Sequence, residues 1–246
     1  MNTLPSVCAW VCASLLAGAG LAQAAPLSPF EARYEARYEG RLAGNATMRL
    51  VDGGTARGQG TRWRMDLDIE GDRGLVGLVR LNIDQSTVFE AHEDVYVPLS
   101  QSSVRKALLF GRTTVGTYDW AARTARWTGD IDRERRAPVP LRDGDLSGLL
   151  INLAIMRDAA PGRALHYRFV DGGRARQHEY AVAAETENIA VGDMHYEALR
   201  VSRTNGGNDE TIVWVADGVP TPVRILQREN GSDAIDLRLI EYQGAP

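Results

Sequence analysis

Imidazole is the side chain most readily turned to proton relay or metal binding near neutral pH, and this chain has four: His92, His166, His178 and His195. None stands in a metal-ligating spacing such as H-E-x-x-H. If Gly172-Gly173 is a two-residue hairpin turn, His166 lies opposite Glu179 and His178 opposite Tyr167. A His–Glu pair so placed could hold a metal or shuttle a proton. An ordinary cross-strand pair has the same spacing and is worth only about 0.2–1 kcal/mol. Asp66 and Asp68 share one strand face about 7 Å apart, at roughly 3.3 Å per residue, a reach suited to paired acid–base work. Flanked by Arg64 and Glu70, they read instead as a charge ladder facing water.

Nucleophiles are scarcer still. Both cysteines, Cys8 and Cys12, lie in the N-terminal leader, and no G-x-S-x-G elbow occurs. The glycines between 54 and 60 lack the Lys-Ser/Thr of a phosphate loop and read as a hairpin loop. No nucleophile, base and charge stabiliser come together, so the expectation is a protein that is not an enzyme and carries no metal or cofactor.

The remaining candidates are apolar. Tyr34, Tyr38, Trp63, Met65, Leu67, Phe89, Tyr167, Phe169 and Trp214 fall on inward strand faces. With Leu149, Leu150 and Leu153 of a helix they either line a groove or fill a dry core. Arg105-Lys106-Ala-Leu108-Leu109-Phe110-Gly-Arg112 sets three large apolar residues among basic ones at a hairpin tip. Lys106, Leu108, Leu109 and Phe110 there either meet anionic lipid or a partner, or fold back onto the core. Gly74 to Val79 is a second apolar segment of this kind.

Composition narrows the class. With 28 Lys+Arg against 32 Asp+Glu the net charge is -4, which gives no electrostatic case for nucleic acid. Nothing before Glu31 is charged, Val7 to Leu21 is apolar, and Ala22-Gln23-Ala24 fits a signal-peptidase site. The expectation is a signal peptide over 1–24 and a periplasmic protein; the alternative is an uncleaved anchor. The rest, 25–246, reads as a single domain, expected to be a monomer with no thiol.

These residues need elements to position them. Phe30 to Glu39 and Arg62 to Glu70 alternate apolar with charged residues, the period of half-buried strands. Asp171-Gly172-Gly173, Gly192-Asp193 and Asn230-Gly231 mark further hairpins. The one helix is Asp145 to Arg157: Asp143 or Asp145 is a candidate cap, Pro161-Gly162 forbid continuation, and apolar residues ring nearly its whole circumference. Such a rod must be covered on most sides. The fold class is therefore mainly β: a curved antiparallel sheet or incomplete barrel with one helix buried in its concave face.

The order of these features resembles bacterial exported proteins of domain-of-unknown-function family 3108. The likeness rests on Phe30-Glu-Ala-Arg-Tyr34, Asp119-Trp120, Asp145-Leu-Ser147, Tyr167-Arg-Phe-Val-Asp-Gly-Gly-Arg174, Thr211-Ile-Val-Trp-Val215 and Pro222-Val-Arg-Ile225. Glu93-Asp94-Val95 departs from the family pattern, where a glycine-containing turn is expected. Members look similar in pattern to periplasmic lipoprotein carriers, which implies an apolar cavity and binding or escort of a lipid, acyl chain or lipoprotein in the envelope. The alternative is an envelope-biogenesis interaction protein with a filled core, whose partner is another envelope protein.

Overall fold

The computed structural model describes residues 27–55, 61–73, 82–107 and 110–244. The leader, the 74–79 segment, Leu108 and Leu109 lie outside that set, and of Phe110 only the backbone is described. Fourteen strands form one sheet: β1 (Phe30–Tyr38), β2 (Arg41–Thr55), β3 (Thr61–Gly71), β4 (Asn82–His92), β5 (Val95–Ala107), β6 (Phe110–Asp119), β7 (Thr124–Gly129) and β8 (Val139–Pro140), then β9 (Ala164–Asp171), β10 (Arg174–Val191), β11 (Met194–Arg203), β12 (Glu210–Ala216), β13 (Arg224–Glu229) and β14 (Ser232–Gly244). Consecutive strands pair antiparallel except β8 and β9, and β1 also pairs with β14. The sheet thus curls into a nearly closed barrel with one seam, between β8 and β9.

Alternation decides which face is buried. On β1, Phe30, Ala32, Tyr34 and Ala36 are buried. Their neighbours face outward in ion pairs, Arg33 with Glu241 at 2.9 Å and Arg49 with Glu31 at 3.0 Å. On β3, Trp63, Met65 and Leu67 are buried in the same way. Strand β10 runs unbroken but bent from Arg174 to Val191, and its register against β11 slips between Val182 and Thr186. The Glu93-Asp94 turn forms without glycine, with Glu93 taking the left-handed conformation at φ 50°.

The helix α1 (Leu150–Asp158) lies inside the barrel, with Leu150, Ala154 and Ile155 at 0% exposure and Ile151 and Leu153 also buried. It starts five residues later than its apolar pattern suggests. Asp145 does not cap it: Oδ2 of Asp145 accepts the Arg142 amide at 2.8 Å and the Arg168 guanidinium. Leu146 is drawn into a parallel bridge with β9, its amide donating to Arg168 and its carbonyl accepting from Val170 at 2.8 Å. The Ser147 hydroxyl lies 3.0 Å from that of Thr87 on β4. The segment read as the first helical turn instead lies along β9, beside the seam.

The seam has its own core. Tyr118, Trp127, Val139, Leu141 and Val170 are buried together, and the Tyr118 hydroxyl reaches across to the Val170 carbonyl at 2.7 Å. A 3₁₀ turn, Arg133–Arg136, packs against the β9–β10 turn. That approach is close enough that a Cβ on Gly173 would overlap the Arg135 carbonyl.

Candidate functional site

Reading the registers around the barrel separates its two ends. Phe30, Leu50 and Tyr96 lie toward one; Tyr38, Arg105 and Arg112 lie toward the other. At the first end the C-terminal half of α1 and the barrel wall leave a cleft of about 660 Å³. Its walls are Phe30, Leu50, Tyr96, Leu153, Met156, Leu199 and Val215, with Val219 and Pro220 from the loop after β12. That loop is pinned inward by Thr221, which is fully buried with its hydroxyl 2.5 Å from that of Tyr34. The Tyr34 hydroxyl also donates to the Pro222 carbonyl at 2.9 Å, and burial pushes its pKa well up, so it stays a neutral donor.

Charge on the rim is arranged around Arg157. Its Nε and Nη2 each donate to Asp158 at 2.7 Å, and Nη1 donates to the Asp94 carbonyl. The guanidinium lies over the Tyr96 ring, 5.0 Å from its centroid. Tyr167 donates to Asp158 Oδ2 at 2.9 Å. Burial pushes the Asp158 carboxyl up, but the bonds and charge of Arg157, with the Tyr167 bond, outweigh it and hold the group below the usual carboxylate range. Glu197 and Asp217 complete the rim. Bonds from Thr186 at 2.8 Å and Asn188 at 3.0 Å keep Glu197 below its ordinary pKa. Arg157 is thus already neutralised by Asp158, whereas Glu197 is held as an anion by its two hydrogen bonds.

Of the residues expected to line a groove, Leu153 alone lines this cleft. Tyr34, Met65, Phe89 and Leu150 are at 0% exposure, and Trp63, Leu67, Leu149 and Tyr167 are also buried in the packed core. Tyr38 is 44% exposed at the β1–β2 turn. Phe169 is half-buried against His178, ring centroids 4.9 Å apart. Trp214 packs under Arg224 at 4.7 Å and donates its indole N–H to Glu187 at 2.7 Å. Lys106 is exposed, its ammonium 3.7 Å from Asp84. His166 and Glu179 are cross-strand partners, as are His178 and Tyr167. Among the described residues no group of three His, Cys, Asp or Glu converges as metal ligands. The cleft residues not foreseen, such as Tyr96, Met156, Leu199 and Val215, are apolar like dozens of others; their sequence carries no mark of lying at the barrel mouth.

A nearly closed antiparallel barrel around one buried helix, with an apolar cleft at one end, is the class of protein defined here. The chain belongs to the family described as "Protein of unknown function (DUF3108)", whose model matches residues 33–238. It is similar in structure to a beta-barrel-like protein of domain of unknown function DUF1849 from Brucella abortus, at 12% identity and TM-score 0.43, covering 89% of this chain and 99% of that one. A DUF1089 family protein from Pseudomonas aeruginosa is also similar, at 12% identity and TM-score 0.37, covering 88% and 95% of the two chains. No curated protein matches the sequence.

Proposed function

We propose that the protein is a periplasmic carrier that holds one acyl chain, esterified or amide-linked to a lipid or lipoprotein, in the cleft beside α1. The observation that supports this reading is the cleft itself: about 660 Å³ walled by aliphatic and aromatic side chains, within the roughly 300–1,000 Å³ range of ligand sites. Burying about eight methylenes there contributes about 6 kcal/mol. The rim selects the kind of chain. Arg157 is committed to Asp158, and Glu197 and Asp217 repel a carboxylate, so a neutral ester or amide linkage fits better than a free fatty acid.

The test is displacement of a fluorescent acyl probe from the purified protein, with mass spectrometry of lipid carried through gentle purification. A monoacylglycerol competes better than the fatty acid of equal length, and Met156→Glu, on the cleft wall, abolishes binding while leaving the thermal midpoint nearly unchanged. Absence of bound lipid together with absence of probe binding overturns the proposal. So does a Met156→Glu variant that binds as well as the parent.

A further inference from the structure

The opposite end of the barrel has the reverse chemistry. There the inward positions of β4, β5 and β6 are Gln85, Ser103, Arg105, Arg112 and Thr114, lining a concavity of about 240 Å³ with Arg135 of the 3₁₀ turn. That is smaller than the roughly 300 Å³ at which drug-sized ligand sites begin. Arg105 and Arg112 are direct cross-strand partners. Like charges so opposed repel, and a sheet does not gain stability from them.

Three carboxylates share the concavity, and each has a structural partner. Asp130 accepts the Thr113 amide at 2.8 Å, Asp171 accepts the Gln101 amide, and Asp132 lies 3.4 Å from Arg135 Nε. The last contact is off the line of a hydrogen bond, so Arg135 Nε is buried without one. Among the described residues Arg105 and Arg112 form no ion pair, although neighbouring Lys106 does. Positive charge also continues beyond the concavity. Burial, then Arg174, Arg135 and Arg203, hold the Arg176 pKa below the usual arginine range without discharging it at neutral pH.

We propose that Arg105, Arg112 and Arg135 form a binding site for a single phosphoryl group, with the hydroxyls of Ser103 and Thr114 as further donors. Planar guanidinium forks match phosphoryl oxygens, and hydroxyls complete the donor set. A bound dianion turns the Arg105–Arg112 repulsion into two attractions. The group comes from a free phosphate or from a phospholipid headgroup. The acyl cleft lies at the other end, with the packed core between, so this site stands or falls independently of the carrier reading.

The test titrates the full chain with inorganic phosphate at low ionic strength, following heat and thermal midpoint, and in parallel sediments it with phosphatidylglycerol or phosphatidylcholine vesicles. Saturable phosphate binding without vesicle binding identifies a free anion. Sedimentation with phosphatidylglycerol but not phosphatidylcholine identifies a headgroup. In either case R105Q/R112Q lowers affinity at least about tenfold, as loss of two charge-assisted bonds requires. The unliganded double variant, relieved of repulsion, melts no lower than the parent. R33Q/R62Q, with the same charge change elsewhere, binds within about twofold of the parent. Binding in neither arm, or equal loss in the two double variants, overturns the proposal.

Discussion

Substitution of Asp145 is the sharpest probe of how the barrel is held at its seam. The Asp145 side chain is at 0% exposure and that of Arg168 at 16%. One carboxylate oxygen takes both the Arg142 amide and the Arg168 guanidinium, tying the segment before α1 to β9. Asp145→Ala leaves the Arg142 amide without its acceptor and Arg168 without its counter-charge. Breaking a buried pair from one side costs about 3–5 kcal/mol. Two features place the cost near the bottom of that range. Arg168 keeps the Pro140 carbonyl at 3.1 Å, and Asp145 Oδ1 is already buried without a partner, so part of the desolvation cost is present in the parent. The expected loss is about 3 kcal/mol, or about 6–12 °C in thermal midpoint for a domain of this size.

Urea unfolding measures the total, and hydrogen exchange at the Leu146 and Val170 amides, which bond across this contact, reports where it is lost. Arg168→Met, added to Asp145→Ala, removes the stranded cation and recovers about half of the loss. The reasoning is refuted if Asp145→Ala costs under about 1 kcal/mol, or if Arg168→Met makes it worse by its own full cost, since either result means the two side chains are not coupled.

Two further outcomes follow from local geometry. Gly173 has φ +74° and no room for a Cβ beside Arg135, whereas Gly172, at φ +55°, faces open space. Gly173→Ala is therefore expected to cost about 2–3 kcal/mol and Gly172→Ala about 1 kcal/mol; equal losses in denaturant titration would show that the 3₁₀ turn does not press on this hairpin. Burial, then Arg203 and Arg176, push the His178 pKa down to about 4, from about 6.5 when unfolded. Between those values the unfolded chain binds more protons, so stability rises with pH through about 4 to 6.5 and is flat in this residue above it. After allowance for partial solvation the rise is about 1–2 kcal/mol. His178→Phe keeps the stack on Phe169 and removes that part of the slope, which urea midpoints across the window detect; an unchanged slope would place the pKa near its ordinary value.

Strand periodicity carried most of the architecture. Arg62 to Glu70 reads as a half-buried strand and lies within β3, and the register across Gly172-Gly173 follows from the two-residue turn. A rod apolar on all sides had to be enclosed, and α1 is. What local pattern does not contain is the competition for the residues before the helix. Asp145, Leu146 and Ser147 fit a helical first turn, but the seam offers them Arg168, a bridge to β9 and the Thr87 hydroxyl, and those tertiary partners outweigh one turn of helix. The cleft was hidden for a related reason. Alternation separates inward from outward positions, yet Met65 and its direct cross-strand partner Leu50 are both inward and buried, and only Leu50 lines the cleft.

The arginine-lined end was concealed by a single residue. On β5, Tyr96 and Pro98 face inward, so strict alternation would continue through Ser100, Ser102 and Val104 and turn Arg105 out to solvent. The register of β4 against β5 slips between Val88 and Phe89, which pair with Ser100 and Pro98, leaving Leu99 as the extra residue of a bulge. One added residue exchanges the two faces of everything beyond it. Gln101, Ser103 and Arg105 become the inward set, in contact with Asp171 and the concavity at that end. The same strand therefore contributes Tyr96 to an apolar cleft at one end and Arg105 to a polar one at the other. A regular strand in that place would have put Val104, rather than the exposed Arg105, on the concave side and left the far mouth without one of its guanidiniums. The bulge at Leu99 is thus what allows one barrel to present two mouths of opposite chemistry.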